Sequence, residues 1–434
     1  MFHALVAALC LAILSCPSSA LSSMRTLART EDSVVLVGED VSGLTGVEVA
    51  DLRLYSCHSG QCLPIALQVD KVDAAGRYVF PVDKYYDPDR DGTLLDNNDE
   101  LCWMAGDAGD RRSPSWKPER ATRGIEIELL DPLDGGMAWV YLFNEPGADP
   151  PDVPDYVDYR IEGDETFIKS SRFALGYRTG RVNYDLMQMR NASGELGPDV
   201  LDKQMVGLMA RMARHNMPLN VPESIIRTVD VALIDGPVRV IIDQIIVINL
   251  ADISFQYGSE YYMKYYRCGQ NNSVFFKFPL GLNKILKSLV FYWSLDFTPD
   301  IIGSRYIDAH HLKTVPIKAH IVEAVPEDAT HYWWGMYGKN GALLQTLDLD
   351  DDMMPYFACK GLWHQDPDAK DKRGDYPGRI EIGFACQEVG SLPEKKDYHW
   401  FNYILFPAEP SIAGLIALRN IVEHPLEITT EKLP

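Results

Sequence analysis

The chain has 434 residues, of which 46% are hydrophobic and 24% are charged, so it can bury a large core and is not disordered. Its formal net charge of −21 argues against a nucleic-acid ligand, because a phosphate backbone requires a basic protein face. The acidic balance is typical of an exported protein that attracts cations.

Residues 1–20 have the composition of an export signal. Ala4 to Ser15 form an apolar run that is too short to cross a bilayer, and residues 18–20 offer a small-residue cleavage site. A competing cleavage before Cys16 would produce a lipoprotein, but Leu14 fits that motif poorly. The sequence therefore predicts an exported protein without a transmembrane segment, located in the periplasm, in the medium or on the cell surface.

Residues 32–83 contain short runs of β-forming residues separated by glycine-rich and aspartate-rich turns. Their spacing of about ten residues is typical of a β-sandwich. Two further strands, GIEIELL and MAWVYLF, follow at residues 124–130 and 137–143. Residues 146–158 are rich in proline and acids and are predicted to link an N-terminal sandwich (30–145) to a larger C-terminal sandwich (160–430).

Six cysteines remain after the two in the predicted signal are removed. Cys57 and Cys62 lie between two predicted strands, where a disulfide would close a hairpin in an oxidising compartment. Cys359 and Cys386 follow similar apolar strands and form the second predicted pair. The other two cysteines, Cys102 and Cys268, either pair across the fold or remain as buried thiols.

Residues 85–103 contain alternating aspartates followed at once by Gly92, a pattern typical of calcium loops. The carboxylates that follow the glycine are shifted by one or two residues from the EF-hand spacing, and the flanks resemble strands rather than helices. The alternative is a solvated acidic turn. We predict a structural calcium site with six candidate ligands: Asp87, Asp89, Asp91, Asp96, Asp99 and Glu100.

Asp199 to His215 is predicted to form an amphipathic helix that packs on a sheet. Apolar residues recur in it at steps of three and four, namely Leu201, Met205, Leu208, Met209 and Met212. Gly197 and Pro198 precede the segment, and Asp199 could cap it.

The rest of the chain is predicted to be mainly strand. Asp235 and Gly236 between two branched runs indicate a hairpin, while residues 284–295 (KILKSLVFYWSL) are ambiguous between helix and strand. Together these patterns predict a mainly β protein, an antiparallel β-sandwich or supersandwich with one clear amphipathic helix.

Clusters of aromatic residues in the C-terminal half are candidates for ligand binding. Flat rings bind the apolar faces of sugars, and Tyr or His tips bond to hydroxyls, although a β core also favours aromatic residues. The candidate ligand-binding residues are Tyr332, Trp333, Trp334, His399 and Trp400.

Familiar catalytic signatures are missing from the sequence, which contains no G-x-S-x-G, H-E-x-x-H or phosphate-binding glycine motif. A neutral histidine or a tyrosine near an arginine could still abstract a proton next to a carboxylate, as a polysaccharide lyase requires. The histidines that could do so are His310, His311, His320, His331, His364 and His399.

Two motifs carry a family resemblance. LPIALQVDKVD followed by DGTLLDNNDELCWMAGDAG resembles an N-terminal pattern of uncharacterised secreted bacterial proteins. VALIDGPVRVIID resembles a hairpin of large β-sandwich proteins related to the mutarotase-like supersandwich. The resemblance implies a large sandwich outside a bacterial cell that is linked to polysaccharide use, and it transfers no catalytic residue.

Three functions follow as hypotheses. The first is an exported, calcium-stabilised protein that binds glycans or protein partners. The second is a carbohydrate-active enzyme, similar to a polysaccharide lyase, with a Tyr or His base. The third is a structural subunit whose apolar stretch Ile285 to Leu295 is an interface.

Calcium is expected to stabilise the fold. A ligand that binds only the native state at a hundredfold excess over its Kd adds about 2.7 kcal/mol. Chelation should therefore lower the melting temperature, and Asp89→Ala or Asp91→Ala should remove that sensitivity. Equal melting temperatures in EDTA and in millimolar calcium would contradict the site.

Overall fold

A computed structural model gives the architecture of the chain. It describes residues 24–81, 92–178, 183–213, 216–221, 226–250, 253–277, 284, 286–309, 314–318, 332–356, 358–366, 378–387, 393 and 397–434. The predicted signal, including Cys16, lies outside the described residues. No helix within these ranges has the length and apolar composition needed to cross a membrane.

The described strands form five antiparallel sheets, which we name here and list in spatial order. The small sheet contains β1 (Ser33–Val37), β5 (Glu100–Met104) and β4 (Gln68–Asp70). The N-terminal sheet contains β27 (Glu427–Lys432), β6 (Arg123–Leu130), β7 (Met137–Asn144), β2 (Leu52–His58) and β3 (Gln61–Ile65). The meander sheet contains β12 (Leu196–Asp199), β11 (Leu186–Arg190), β10 (Phe173–Arg178), β9 (Glu165–Ser170) and β8 (Val157–Glu162).

Two further sheets complete the described fold. The facing sheet contains β14 (Pro218–Val221), β13 (Leu201–Met212), β19 (Leu286–Phe297), β25 (Arg379–Gln387) and β24 (Ala358–Asp366). The long sheet contains β15 (Ile226–Asp235), β16 (Arg239–Leu250), β17 (Ile253–Tyr266), β18 (Gly269–Lys277), β26 (Asp397–Leu405), β23 (Gly341–Leu349), β22 (Trp333–Gly338), β20 (Arg305–Asp308) and β21 (Val315–Pro316). The predicted mainly β, antiparallel sandwich class is thereby confirmed.

The helix predicted at Asp199 to His215 is wrong, because Leu201–Met212 of this segment form strand β13; Arg214 and His215 lie outside the described residues. Strand β13 pairs with β19 along its length, and this neighbour supplies the backbone hydrogen bonds that a helix would make internally. The Asp199 carboxylate accepts hydrogen bonds from the backbone N–H groups of Met187 and Leu201, at 2.8 and 3.1 Å, instead of capping a helix. Tertiary pairing therefore overrides the three- and four-residue spacing.

The α-helix whose full length is described is α1 (Ile412–Glu423), near the end of the chain. Its N-terminal cap is Ser411, whose side chain accepts a hydrogen bond from the N–H of Gly414 at 3.1 Å. It buries Leu415 and Leu418 against the long sheet. Within the described residues, an amphipathic helix is thus present, but at a different place in the sequence from the one predicted.

Other local predictions are confirmed. Strands β2 and β3 form the Cys57–Cys62 hairpin, and Cys359 pairs with Cys386 across β24 and β25. Cys102 and Cys268 are free and buried. Strands β15 and β16 form the hairpin predicted at Asp235.

The ambiguous segment at residues 284–295 contributes the start of β19. That strand is paired on one side with β13 and on the other with β25. Its apolar residues Leu289, Trp293 and Leu295 are buried within this chain. The described contacts thus explain the apolar stretch without a partner protein.

The largest hydrophobic core lies between the inner face of the long sheet and the facing and meander sheets. Side chains from all three sheets fill it, including Val240, Tyr265, Leu343, Leu295, Ile382, Phe384, Phe173, Leu175 and Met187. A second core lies under the small and N-terminal sheets. The last strand, β27, pairs with β6, so the end of the chain returns to the N-terminal sheet. The division into domains at 146–158 stays a prediction.

Arg239, which is fully buried, joins the small sheet to the long sheet. Its guanidinium lies 2.5 Å from Asp70 on β4 and 2.5 Å from Glu100 on β5. Gln68 reinforces the contact by accepting hydrogen bonds from the backbone N–H groups of Val238 and Arg239, at 3.1 and 2.9 Å. Burial alone would lower the pKa of Arg239, but Asp70 acts together with the neighbouring Tyr266 and Tyr78 to raise it well above its ordinary value.

Arg239→Met should destabilise the protein by about 3 to 5 kcal/mol, because it leaves two carboxylates without their buried counter-charge. Arg160→Met is the matched control, since Arg160 pairs with Glu162 on the surface and the loss should stay below about 1 kcal/mol. Urea unfolding of both variants measures the difference. Equal losses would show that the buried Arg239 contacts contribute no more than a surface pair.

Candidate functional site

Described residues cover the outer face of the long sheet at both ends, and none of the packing clusters formed by the described residues covers the part between them. At one end Tyr78 and Phe80 of the N-terminal part pack on Tyr262. At the other end helix α1 packs on Trp333 and Leu344. The part between the two ends carries side chains of β17, β18 and β26.

We call this part of the outer face the floor. It consists of six side chains: Lys264, Asn271, Ser273, His399, Phe401 and Tyr403. Strand register places them on one face, because Lys264, Asn271 and Tyr403 stand directly opposite one another across three strands. Ser273 and Phe401 form the next row. All but Ser273 are partly exposed.

Three rings line strand β26 at alternate positions. The ring centroids of His399 and Phe401 are 4.2 Å apart, and those of Phe401 and Tyr403 are 6.0 Å apart. A strand directs every second side chain to the same face, so a continuous aromatic surface results. This surface has the length to contact consecutive sugar rings.

His399 is the ionisable ring of the floor. Its Nε2 lies 3.0 Å from Oγ of the buried Ser273, and its backbone N–H donates to Oδ2 of Asp350 at 2.9 Å. Burial lowers the pKa of His399 below its ordinary value; nearby Lys264 acts in the same direction, whereas Asp350 opposes it. The ring is therefore mostly neutral at pH 7 and can accept a proton.

Asn271 and Tyr403 form a polar pair at the middle of the floor. The amide of Asn271 makes a hydrogen bond to the Tyr403 hydroxyl, and burial raises the pKa of Tyr403. Oδ1 of Asn271 is buried and has no hydrogen-bond partner in the described part of the chain. A buried acceptor without a partner is costly, so a donor from a ligand or from water fits this position.

Lys264 lies at the edge of the floor nearest the small sheet. Its Nζ is 4.9 Å from the centroid of the Tyr78 ring. Burial lowers the pKa of Lys264 to about 8, with Glu100 opposing this effect and Arg239 adding to it. The floor thus combines an aromatic surface with a cation at one side.

The structure places the ring residues singled out in the sequence on both faces of the long sheet. Trp334 is fully buried, and its indole N–H donates to Gln345 at 2.8 Å within the core. Trp400 also points inward, 5.6 Å from the ring of Phe291. Neighbouring strand residues face opposite ways, so consecutive aromatics cannot share one surface.

The other three ring residues of that set do not share one surface. Tyr332 packs against the main core, and Trp333 lies under helix α1 with the guanidinium of Arg419 at 4.7 Å from its ring. His399 is the one member of the predicted set on the floor. The sequence analysis did not identify four residues of the floor, namely Lys264, Asn271, Ser273 and Tyr403. The alternation of His399, Phe401 and Tyr403 in YHWFNYILF nevertheless indicates that these three rings share one face of a strand.

The structure describes three of the six candidate calcium ligands. Asp87, Asp89 and Asp91 lie outside the described residues. Asp99 accepts hydrogen bonds from Lys71 at 2.5 Å and from the backbone N–H groups of Val72 and Asp96. The calcium site stays a prediction.

Glu100, the last candidate ligand, accepts hydrogen bonds from Tyr78 at 2.7 Å and from Arg239 at 2.5 Å. Burial would raise its pKa, but Arg239 and Lys264 together hold that pKa below its ordinary value. Among described residues no three His, Cys, Asp or Glu side chains are grouped to hold a metal ion. Of the candidate histidines, His364 is exposed on β24, and His310, His311, His320 and His331 lie outside the described residues.

A second polar cluster, which sequence reasoning did not identify, lies on the facing sheet. Lys203, Asp296 and Glu381 stand opposite one another on three strands, and Ser294 donates to Glu381 at 2.5 Å. Burial raises the pKa of Asp296 to about 7, and Asp202 and Glu381 add to this while the N–H of Ile380 and Lys203 oppose it. Oδ2 of Asp296 is buried without a partner in the described part of the chain, which disfavours the charged form of this carboxyl in the same direction as the raised pKa.

Comparisons with known proteins give little guidance. No protein-family model and no curated protein matches the sequence. Among solved structures, an alpha-mannosidase from Enterococcus faecalis V583 is similar over 95% of this chain, with a TM-score of 0.38 and 7% sequence identity. The chain spans 45% of that protein. A similarity of this size carries no information about the activity or substrate of this chain.

The lowered pKa of His399 has a consequence for stability. The unfolded chain takes up a proton near the ordinary pKa of about 6.5, while the folded state resists protonation, so stability falls as pH drops through that value. His399→Gln should flatten this part of the stability profile. Urea unfolding between pH 5 and 8 measures it, and parallel profiles for both proteins would contradict the assignment.

Proposed function

We propose that the floor binds carbohydrate. The observation that carries the proposal is the row of three ring side chains on β26, which are partly exposed and lie beside polar groups on neighbouring strands. Sugar rings have apolar faces that stack on aromatic rings and hydroxyls that bond to amides and imidazoles. The unpartnered Oδ1 of Asn271 is suited to accept a hydroxyl hydrogen.

The protein is mainly β and contains two disulfides, which indicate an oxidising compartment. We propose further that it is exported and stabilised by calcium. The signal-like residues 1–20 and the acidic residues 85–103 support these two points. A protein partner in place of a glycan is the alternative occupant of the floor.

Proton abstraction is the second candidate function. A neutral His399, bonded to Ser273 and open to the floor, has the properties of a general base. Tyr403, whose raised pKa keeps its hydroxyl protonated, can donate a proton to a leaving oxygen. These two groups support a lyase-type reaction on a bound polysaccharide.

Phe401→Ala and Tyr403→Ala should each weaken glycan binding about twofold to tenfold, because stacking on one aromatic ring contributes about 0.5 to 1.5 kcal/mol beyond its buried area. Isothermal titration with a panel of soluble polysaccharides measures the affinity. Phe167→Ala on β9 is the matched control, since Phe167 is a partly exposed aromatic residue far from the floor in the sheet order.

The same panel separates binding from catalysis. If the protein is a lyase, the ultraviolet absorbance of a new carbon–carbon double bond will grow with time, and His399→Ala will abolish it while binding persists. If it only binds, no absorbance will appear. Wild-type protein that binds no glycan of the panel would contradict the proposed function.

A further inference from the structure

Within the described residues, the Lys264 side chain makes no hydrogen bond and no ion pair. Its Nζ lies 4.9 Å from the centroid of the Tyr78 ring. Glu100, the acid with the largest electrostatic effect on Lys264, directs Oε2 to Tyr78 and Arg239. The ammonium therefore keeps its hydrogen-bond donors for another acceptor.

Lys264 lies at one end of a row of side chains that crosses the floor. It stands directly opposite Asn271, which stands opposite Tyr403, so the ammonium begins the row that crosses the floor. A ligand stacked on Tyr403 and Phe401 would extend across Asn271 toward Lys264. Adjacent strands are about 4.8 Å apart, so the three strands of this row span about 10 Å, roughly two sugar units.

Partial burial makes an anion at this position favourable. An ammonium removed from water without an ion pair is destabilised, and a ligand anion would restore the lost interaction. Three charged side chains, Asp70, Glu100 and Arg239, also face Lys264. The two carboxylates and the two cations give this group of four a net charge of zero. Lys264 could therefore serve only to balance these charges, and the experiment must separate that role from ligand recognition.

We propose that the floor selects glycans bearing an anionic group, a carboxylate or a sulfate, and that Lys264 is the residue that recognises it. The inference rests on the proposed carbohydrate-binding function. It adds a substrate class, acidic polysaccharides, and assigns the specificity to one side chain.

The test compares charged and uncharged forms of the same sugar by isothermal titration. The probes are oligogalacturonate and its methyl ester for the carboxylate, and sulfated and plain dextran oligosaccharides for the sulfate. The charged form of at least one pair should bind about tenfold or more tightly than its uncharged form. Lys264→Met should remove this preference, with a loss of about tenfold to a hundredfold for the charged form.

Two variants control for structure and for overall charge. Lys264→Arg keeps the positive charge and should keep the preference, whereas Lys169→Met removes an exposed lysine on β9 and should change nothing. Thermal melting shows whether each variant folds. If Lys264→Met does not fold, Lys264→Gln, which also removes the positive charge, takes its place in the comparison.

Equal affinity for the charged and uncharged forms would overturn the inference. So would a charge preference that survives Lys264→Met, which would leave Lys264 a purely structural role. In both cases, weaker binding by Phe401→Ala would keep the carbohydrate function intact. Absence of binding to any probe by the wild-type protein would overturn the inference and the proposed function together.

Discussion

The buried contact of Arg239 with Asp70 and Glu100 determines how the two halves of the structure are arranged. A guanidinium in a core is tolerated only when carboxylates compensate its charge, so strands β4 and β5 must lie over the end of β16. Gln68 fixes the same strands to the backbone of the β15–β16 hairpin. The small sheet is thereby held against the long sheet by polar contacts as well as by packing.

This contact also defines one border of the floor. Tyr78 and Glu100, which lie beside Arg239, are the neighbours of Lys264. Helix α1 covers the other end of the same face. Among the described residues, the floor therefore lies between the part of the outer face that Tyr78 and Phe80 cover and the part that helix α1 covers.

The charge of the whole protein and that of Lys264 have opposite signs. At a net charge of −21 the molecule repels an anionic polymer at long range. Recognition of an acidic sugar would thus depend on short-range contact with Lys264 rather than on electrostatic steering. The cluster around Asp296 lies on the facing sheet, apart from the floor in the sheet order, and has no part in this contact.

The fold class could be read from the sequence because alternation, turn residues and paired cysteines are local signals. The Cys57–Cys62 hairpin and the hairpin at Asp235 depend on adjacent strands, and both were predictable for that reason. Strand β13 was not predictable from the sequence, because its apolar spacing fits a helix. It forms a strand because it pairs with β19, which begins more than 80 residues after β13 begins.

The candidate site depended on tertiary structure for a similar reason. The sequence identified aromatic density around Trp333 and His399, but it could not tell which rings face the core and which face outward. Whether a ring faces the core or faces outward depends on which face of the sheet other elements cover. Those covering elements come from distant parts of the chain. The sequence by itself determined a mainly β, disulfide-bonded chain; only the tertiary structure brought Lys264, Asn271 and Tyr403 into one row, because strand pairing joins residues that lie more than 130 positions apart.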